Sequence, residues 1–285
     1  MSKIKTSLVL EGGGLRGAYT AGALTWLIDQ GIEFDVSYGI STGAVYLVNF
    51  LMKNRDEMYD FSVNGITDKR IIGIKPLLRC GRIVDYDFLF ETILPEEKGF
   101  DISALKDCRE GYIGLYVLSE GKTMYFPTRE FSIKQLEAST SLPILGKIVN
   151  YNGMELLDGG ITDMIPIKKA VEDGCNRCLV ITTKPGDYVR KPAKASVVQL
   201  MKLSYPQCEN ISEDYRIRHL NYKDQIDMIR QMEDKKEAVY VFPSRHSDVT
   251  RLGGSTEALD DLYHLGYSDM ESRKEDIFTL LNENA

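Results

Sequence analysis

The hydrophobic and polar positions of the chain switch between two periods. Residues 5–10, with Val9 between leucines, form an apolar run that predicts a buried strand. From Leu15 to Asp29 apolar side chains recur at helical spacing (Ala18, Ala21, Leu24, Leu27, Ile28), and Gln30–Gly31 supplies a stop. FDVSYGI (34–40) predicts a second strand, GISTGA (39–44) a tight turn, and VYLVNFLM (45–52) a buried helix. After an irregular helical stretch over 54–110, GYIGLYVLS (111–119) and KTMYFPT (122–128) predict an antiparallel hairpin beside the main sheet. A short helix at FSIKQLEAS, a strand at MELL ending in DGG, a helix at IPIKKAVEDG and a strong strand at RCLVITT follow. Residues 206–236 are polar and helical, VYVFPS is a last strand, and helices over 255–283 close the chain. Strands alternating with helices predict an α/β fold, a mainly parallel central sheet covered by helices on both faces. No repeat or linker interrupts the pattern, so residues 1–285 are expected to form a single domain.

Composition narrows the function classes. At 285 residues with 43% hydrophobic positions the chain can bury a large core. Its formal charge is −7, from 35 basic and 42 acidic residues, so no nucleic-acid partner is expected. The N-terminal apolar run is too short for a signal peptide, and Glu11 interrupts it; no stretch reaches the roughly 18 apolar residues of a membrane span. Cys80, Cys108, Cys175, Cys178 and Cys208 are odd in number and scattered, which argues against a disulfide framework. These features predict a soluble cytoplasmic protein.

The first strand runs into EGGGLRG. Gly12, Gly14 and Gly17 satisfy the dinucleotide spacing G-x-G-x-x-G, but that site needs an acid at the end of the second strand, roughly 20 residues on. There the chain has Gly39-Ile40-Ser41, and the nearby Asp35 lies at the strand's beginning. A phosphate-binding Walker loop fails too, because Ala18 and Tyr19 stand where Lys and Ser/Thr would be needed. GISTG is instead a G-x-S-x-G turn between strand and helix, which would expose the Ser41 hydroxyl while Gly39 and Gly43 relieve backbone crowding. A helix starting near Thr42 would aim its positive end at developing negative charge. The alternative role for Ser41 is a plain helix cap. A serine nucleophile needs a base, and His219, His246 and His264 all lie in polar stretches away from strand ends. Asp158 closes a strand before Gly159 and Gly160, at the sheet edge where α/β sites gather; the alternative is an ordinary Asp-Gly turn.

EGGGLRG, GISTG and DGG, in this order, resemble the motifs of the patatin-like phospholipases. The resemblance spans about residues 5–183, while the C-terminal portion, about 193–285, resembles mainly bacterial members. It implies a three-layer α/β/α fold and a Ser–Asp dyad, with Ser41 as nucleophile and Asp158 as base. It further implies an oxyanion hole containing Gly12, Gly13, Gly14 and Arg16, and no metal or cofactor. Ser139–Pro143 is similar to the family's S-x-x-x-P segment. Met164 stands where plant patatins usually carry Asn, and Asp163 is expected to take over its hydrogen bonding. The implied activity is hydrolysis of fatty-acyl esters of phospholipids or related lipids. Two alternatives stay open: a soluble ester or thioester hydrolase or acyltransferase with the same dyad, and a non-catalytic anion-binding module using the Gly loop. Residues 69–84 combine Lys69, Arg70, Lys75, Arg79 and Arg82 with apolar side chains and no acid, the composition of a transient contact with an anionic membrane surface or of a packed, solvated loop-helix. Cys175 and Cys178 lead into a strand and lack a second pair, so both are expected to be structural.

Overall fold

The computed structural model describes residues 4–65, 68–71, 73–80, 85–97 and 99–282. Arg82 and its neighbours at 81–84 therefore lie outside the described residues. The strands are β1 (Thr6–Leu10), β2 (Val36–Ile40), β3 (Glu110–Val117), β4 (Lys122–Pro127), β5 (Val149–Tyr151), β6 (Met154–Asp158), β7 (Arg177–Ile181) and β8 (Ala238–Val241). They join in one sheet of order β5-β6-β3-β2-β1-β7-β8, with β4 paired to β3. The contacts from β3 through β2, β1 and β7 to β8 are parallel. The three involving β4, β5 and β6 are antiparallel.

Period-two alternation sends side chains to both faces, as a buried strand requires. Leu8, Leu10, Leu179, Ile181, Val239 and Val241 enter one core, and Val9, Cys178, Val180 and Tyr240 the other. The first face is covered by α1 (Gly17–Asp29), α2 (Thr42–Leu51), α3 (Arg55–Tyr59), α6 (Ile133–Thr140), α10 (Thr256–Ser272) and α11 (Lys274–Asn282). The second is covered by α7 (Ile167–Glu172) and α9 (Ile211–Asp234), with α8 (Ala195–Ser204) beside them over Tyr116 and Leu157. Two further helices, α4 (Ile74–Cys80) and α5 (Tyr86–Phe88), belong to the excursion between β2 and β3. Helix α10 crosses α1 at backbone distance. A Cβ on Gly266 would stand 2.1 Å from the Tyr19 carbonyl oxygen, and one on Gly22 would stand 1.8 Å from that of Tyr263. Tyr19 donates to Asp269 (3.0 Å) and Trp26 to Glu271 (2.6 Å) across the same contact.

One expectation needs correcting. The β3–β4 hairpin forms, but β3 lies inside the main sheet instead of beside it. Its first half, Glu110–Gly114, pairs parallel with β2, and Leu115–Val117 pairs antiparallel with β6. Since β4 pairs along Tyr112–Val117, it occupies the opposite edge, and β2 and β6 share one edge of β3. They run toward each other along it. Ile40 ends β2 opposite Gly114, and Asp158 ends β6 opposite Leu115, the next residue.

Candidate active site

Those two strand ends bring Ser41 and Asp158 together. Ser41 follows Ile40 with φ 56° and ψ −127°, a sparsely populated conformation for a residue with a side chain, and α2 begins at the next residue. Its Oγ donates to Asp158 Oδ2 at 2.7 Å. The other carboxylate oxygen, Oδ1, accepts the Gly160 N–H at 2.7 Å. Both side chains are buried, Ser41 7% and Asp158 3% exposed. Burial raises the Asp158 pKa above the usual carboxylate value, while the Ser41 and Gly160 donors and the charges of Arg218 and Arg251 hold it down. Among the described residues no histidine contacts the pair: His246 meets Asp187, His264 meets Asp260, and His219 lies against the Arg216 carbonyl.

The elbow is tight. A Cβ on Gly43 would meet the Glu11 carbonyl oxygen at 2.7 Å, and one on Gly39 would meet Ala44 Cα at 2.8 Å. Across from Ser41 runs the Gly loop, close enough that a Cβ on Gly12 would lie 2.7 Å from Ser41 Cβ. Only part of this loop carries open donors. Gly12 N–H donates to the Met164 carbonyl (3.2 Å) and Leu15 N–H to the Arg251 carbonyl (3.0 Å), whereas Gly13 and Gly14 N–H have no acceptor among the described residues. Gly14 opens a short 3-10 turn with φ +61° and ends against Arg251. Gly159 packs on the Gly114 carbonyl, and Arg218 Nε donates to the Gly160 carbonyl. Arg16 closes the 3-10 turn, half-buried, its charge facing Arg251, Glu11 and Arg190.

Several site residues had no signature in sequence. Glu11, fully buried, accepts from Lys184 Nζ, Thr183 N–H (2.7 Å) and Thr183 Oγ1 (3.0 Å), which ties the Gly loop to the end of β7. Burial works to raise its pKa, but Lys184, the Thr183 N–H and the charge of Arg190 together outweigh this and hold it below the usual range. Arg218 and Arg251 come from the C-terminal portion, and nothing in a polar helix or loop distinguishes a site arginine from a solvated one. Ser139–Pro143 does reach the site: Ser141 C=O accepts the Asp158 N–H at 3.0 Å. Met164 is buried, while Asp163 accepts from Tyr125 OH and Gln225 Nε2 (2.7 Å). Cys175 and Cys178 are buried beside Tyr38 and Ser7. In the 69–84 segment Arg70 pairs with Asp68 and Arg79 with Asp85, so these two basic residues are engaged locally. No helix among the described residues is long and apolar enough to cross a membrane.

A cavity of about 110 Å³ opens beside Ser41, lined by Leu15, Val45, Phe61, Phe90, Leu142 and Leu252 among others. A buried serine bonded to a carboxylate, next to open backbone N–H groups and an apolar cavity, is equipped for acyl transfer.

The chain is 26% identical over 270 residues to the uncharacterized protein YjjU of Escherichia coli K12, covering 92% of this chain and 75% of that one. It is 25% identical over 183 residues to the lysophospholipase NTE1 of Candida albicans, covering 64% of this chain and 13% of that longer protein. The crystal structure of VipD from Legionella pneumophila aligns with a TM-score of 0.45 at 14% identity, over 95% of this chain and 66% of that one. Residues 208–282 match a domain of unknown function, DUF6363. Residues 8–171, more than half of the chain, match the patatin-like phospholipase model, and the chain belongs to that family of lipid acyl hydrolases.

Proposed function

We propose that this chain hydrolyses fatty-acyl ester bonds of phospholipids or related lipids, with Ser41 as nucleophile and Asp158 as its base. The observation that carries the reading is the 2.7 Å Ser41–Asp158 hydrogen bond at two converging strand ends. Asp158 takes the Ser41 proton as Oγ attacks the ester carbonyl. The oxyanion is received by the Gly13 and Gly14 N–H groups, with the N-terminus of α2 behind it. Gly12 contributes close approach, its own N–H being already engaged. The tetrahedral adduct collapses, the leaving alcohol takes the proton from Asp158, and the acyl group stays on Ser41. Water, giving a proton to Asp158, attacks the acyl carbonyl, and the proton returns to Ser41 as the fatty acid leaves.

The apolar cavity beside Ser41 supports an acyl chain as its occupant. On α4, Ile74 (75% exposed) and Leu78 (82% exposed) follow the cavity-lining Ile71 and offer apolar surface to a lipid aggregate. With Arg70 and Arg79 engaged locally, this contact is more apolar than the segment's composition implies. The whole chain works as one unit in this reading, because α10 is locked onto α1, the helix that follows the Gly loop. Fluorophosphonate labelling and hydrolysis of a fatty-acyl ester panel test it. Ser41→Ala should abolish both, and Asp158→Asn should lower kcat about 10²–10⁴-fold. Near wild-type turnover in Ser41→Ala would refute the assignment, and a mild Asp158→Asn effect beside a large histidine effect would replace the dyad with a triad.

A further inference from the structure

Four arginines gather round the dyad. Arg218, on α9, donates through Nε to the Gly160 carbonyl, and its Nη2 lies 3.4 Å from where a Gly160 Cβ would sit, a point 3.0 Å from Asp158 Oδ1. One turn along α9, the Tyr222 ring carries the Arg190 guanidinium at 4.8 Å. Arg251, from the loop before α10, holds the Gly loop through its carbonyl and lines the cavity with Ser41. Arg16 follows on the same loop, half-buried.

None of the four forms an ion pair among the described residues, and Arg190 Nε is buried with no hydrogen-bond partner. The carboxylates in range are committed, Glu11 to Lys184 and Thr183, and Asp158 to Ser41 and Gly160. The charges disturb one another: burial, and then repulsion from Arg190 and Arg251, pushes the Arg218 pKa down to about 9. Partly desolvated like charges without counter-ions are costly, and guanidinium forks are the groups best matched to phosphate oxygens. Several guanidinium forks from separate segments suit a tetrahedral anion with acceptors in diverging directions better than a planar carboxylate.

We propose that Arg16, Arg190, Arg218 and Arg251 form a phosphate subsite beside the dyad. The segment matched as a domain of unknown function completes it by supplying Arg218 and Arg251. The preferred substrate is then an acyl ester bearing a phosphate group near the scissile bond. That last step rests on the acyl-hydrolase reading; the subsite itself does not.

The test separates the two. Calorimetry on full-length Ser41→Ala protein with glycerol 3-phosphate and with inorganic phosphate reads the subsite without turnover. Glycerol 3-phosphate should bind, Arg190→Gln/Arg251→Gln should weaken it at least tenfold, and Arg190→Lys should weaken it less than Arg190→Gln. With Ser41 intact, the kcat/KM ratio of a monomeric 1-acyl-glycerol 3-phosphate over the matched monoacylglycerol should exceed ten. In the double arginine variant, checked for folding by circular dichroism, that ratio should fall at least tenfold. Absent phosphate binding, or binding indifferent to the arginine substitutions, overturns the subsite. Arginine-dependent binding of free phosphate with a substrate ratio near one overturns the substrate assignment. Arginine-dependent binding with no ester hydrolysis at all upholds the subsite and removes the catalytic reading.

Discussion

Replacing Glu11 by Gln tests whether the buried Glu11–Lys184 pair holds the Gly loop. Gln keeps the shape and can still accept from Thr183, but it removes the counter-charge of an ammonium that is itself buried. Lys184 already has its pKa pushed down to about 8 by burial, with Glu11 the chief group holding it up, and Arg190 and Arg16 repel it. Two routes bracket the magnitude. Breaking a buried pair from one side costs about 3–5 kcal/mol. If Lys184 instead loses its proton, its titration adds at pH 7 only the distance from its wild-type pKa of about 8, about 1 unit or about 1.4 kcal/mol. Against a total stability of about 5–15 kcal/mol the variant still folds. In urea unfolding, with a slope of about 3 kcal/mol per M, the midpoint should fall by about 0.5–1.5 M.

The pH dependence gives the sign. In the variant Lys184 titrates lower than in the wild type, so between that lowered value and about 8 only the variant's unfolded state binds the extra proton. The variant therefore gains stability as pH rises there while the wild type does not, and the deficit narrows until about pH 8. Glu11→Gln/Lys184→Met, which removes both charges, should recover at least half of the lost stability. A Glu11→Gln variant within about 1 kcal/mol of wild type, or a double variant no better than the single one, refutes the reasoning.

Three further outcomes follow. Asp158 must be ionised to act as base and its pKa is raised by burial, so kcat/KM should fall as pH drops through a midpoint above the usual carboxylate value of about 3.9. Arg218→Gln, removing a charge that favours the carboxylate, should move that midpoint higher; an acid limb at or below pH 4 contradicts the assignment. Gly43→Ala places a methyl 2.7 Å from the Glu11 carbonyl, so α2 must move off the end of β1; kcat should drop at least tenfold with far-UV circular dichroism unchanged. Gly266→Ala meets the Tyr19 carbonyl at 2.1 Å, and its overpacking should cost about 1–3 kcal/mol despite alanine's better helix propensity. A thermal midpoint at or above wild type would mean that the α1–α10 crossing yields easily.

The sequence revealed the parts of the site more readily than their meeting. Periodicity reports each segment's own environment, so β1, β2, β6, β7 and β8 were legible, as were the glycines whose turns break those strands. Pairing is a relation between distant segments, and no local signal placed β3 inside the sheet or showed that it carries two strands on one edge. The three-residue β5 is too short to show a period. The engaged state of the Gly12 N–H depended on Met164, a residue far away in sequence. Glu11 read only as a charge interrupting an apolar run, because its partner Lys184 lies 173 residues on.

What joins these gaps is β3. Its Gly114 has no room for a side chain: a Cβ there would lie 2.3 Å from Ile40 Cδ1, and the carbonyl of the same residue packs where a Gly159 Cβ would be, at 2.4 Å. One residue without a side chain thus lets the ends of β2 and β6 close on each other. The next residue, Leu115, sets Asp158 in register by pairing with it. The Ser41–Asp158 distance is fixed by a backbone ladder, and neither residue depends on a mobile loop for its place. Such an arrangement suits a two-residue dyad. Without a histidine to relay the proton, donor and acceptor must stay within direct hydrogen-bond reach, and rigid strand ends hold that distance better than loops do. Gly114→Ala should therefore damage catalysis more than its remoteness from any substrate implies. Its expected signature is a fall in kcat with KM little changed, because the cavity beside Ser41 is built from other segments. A variant that keeps kcat within about twofold would show that the ladder is not what sets the dyad.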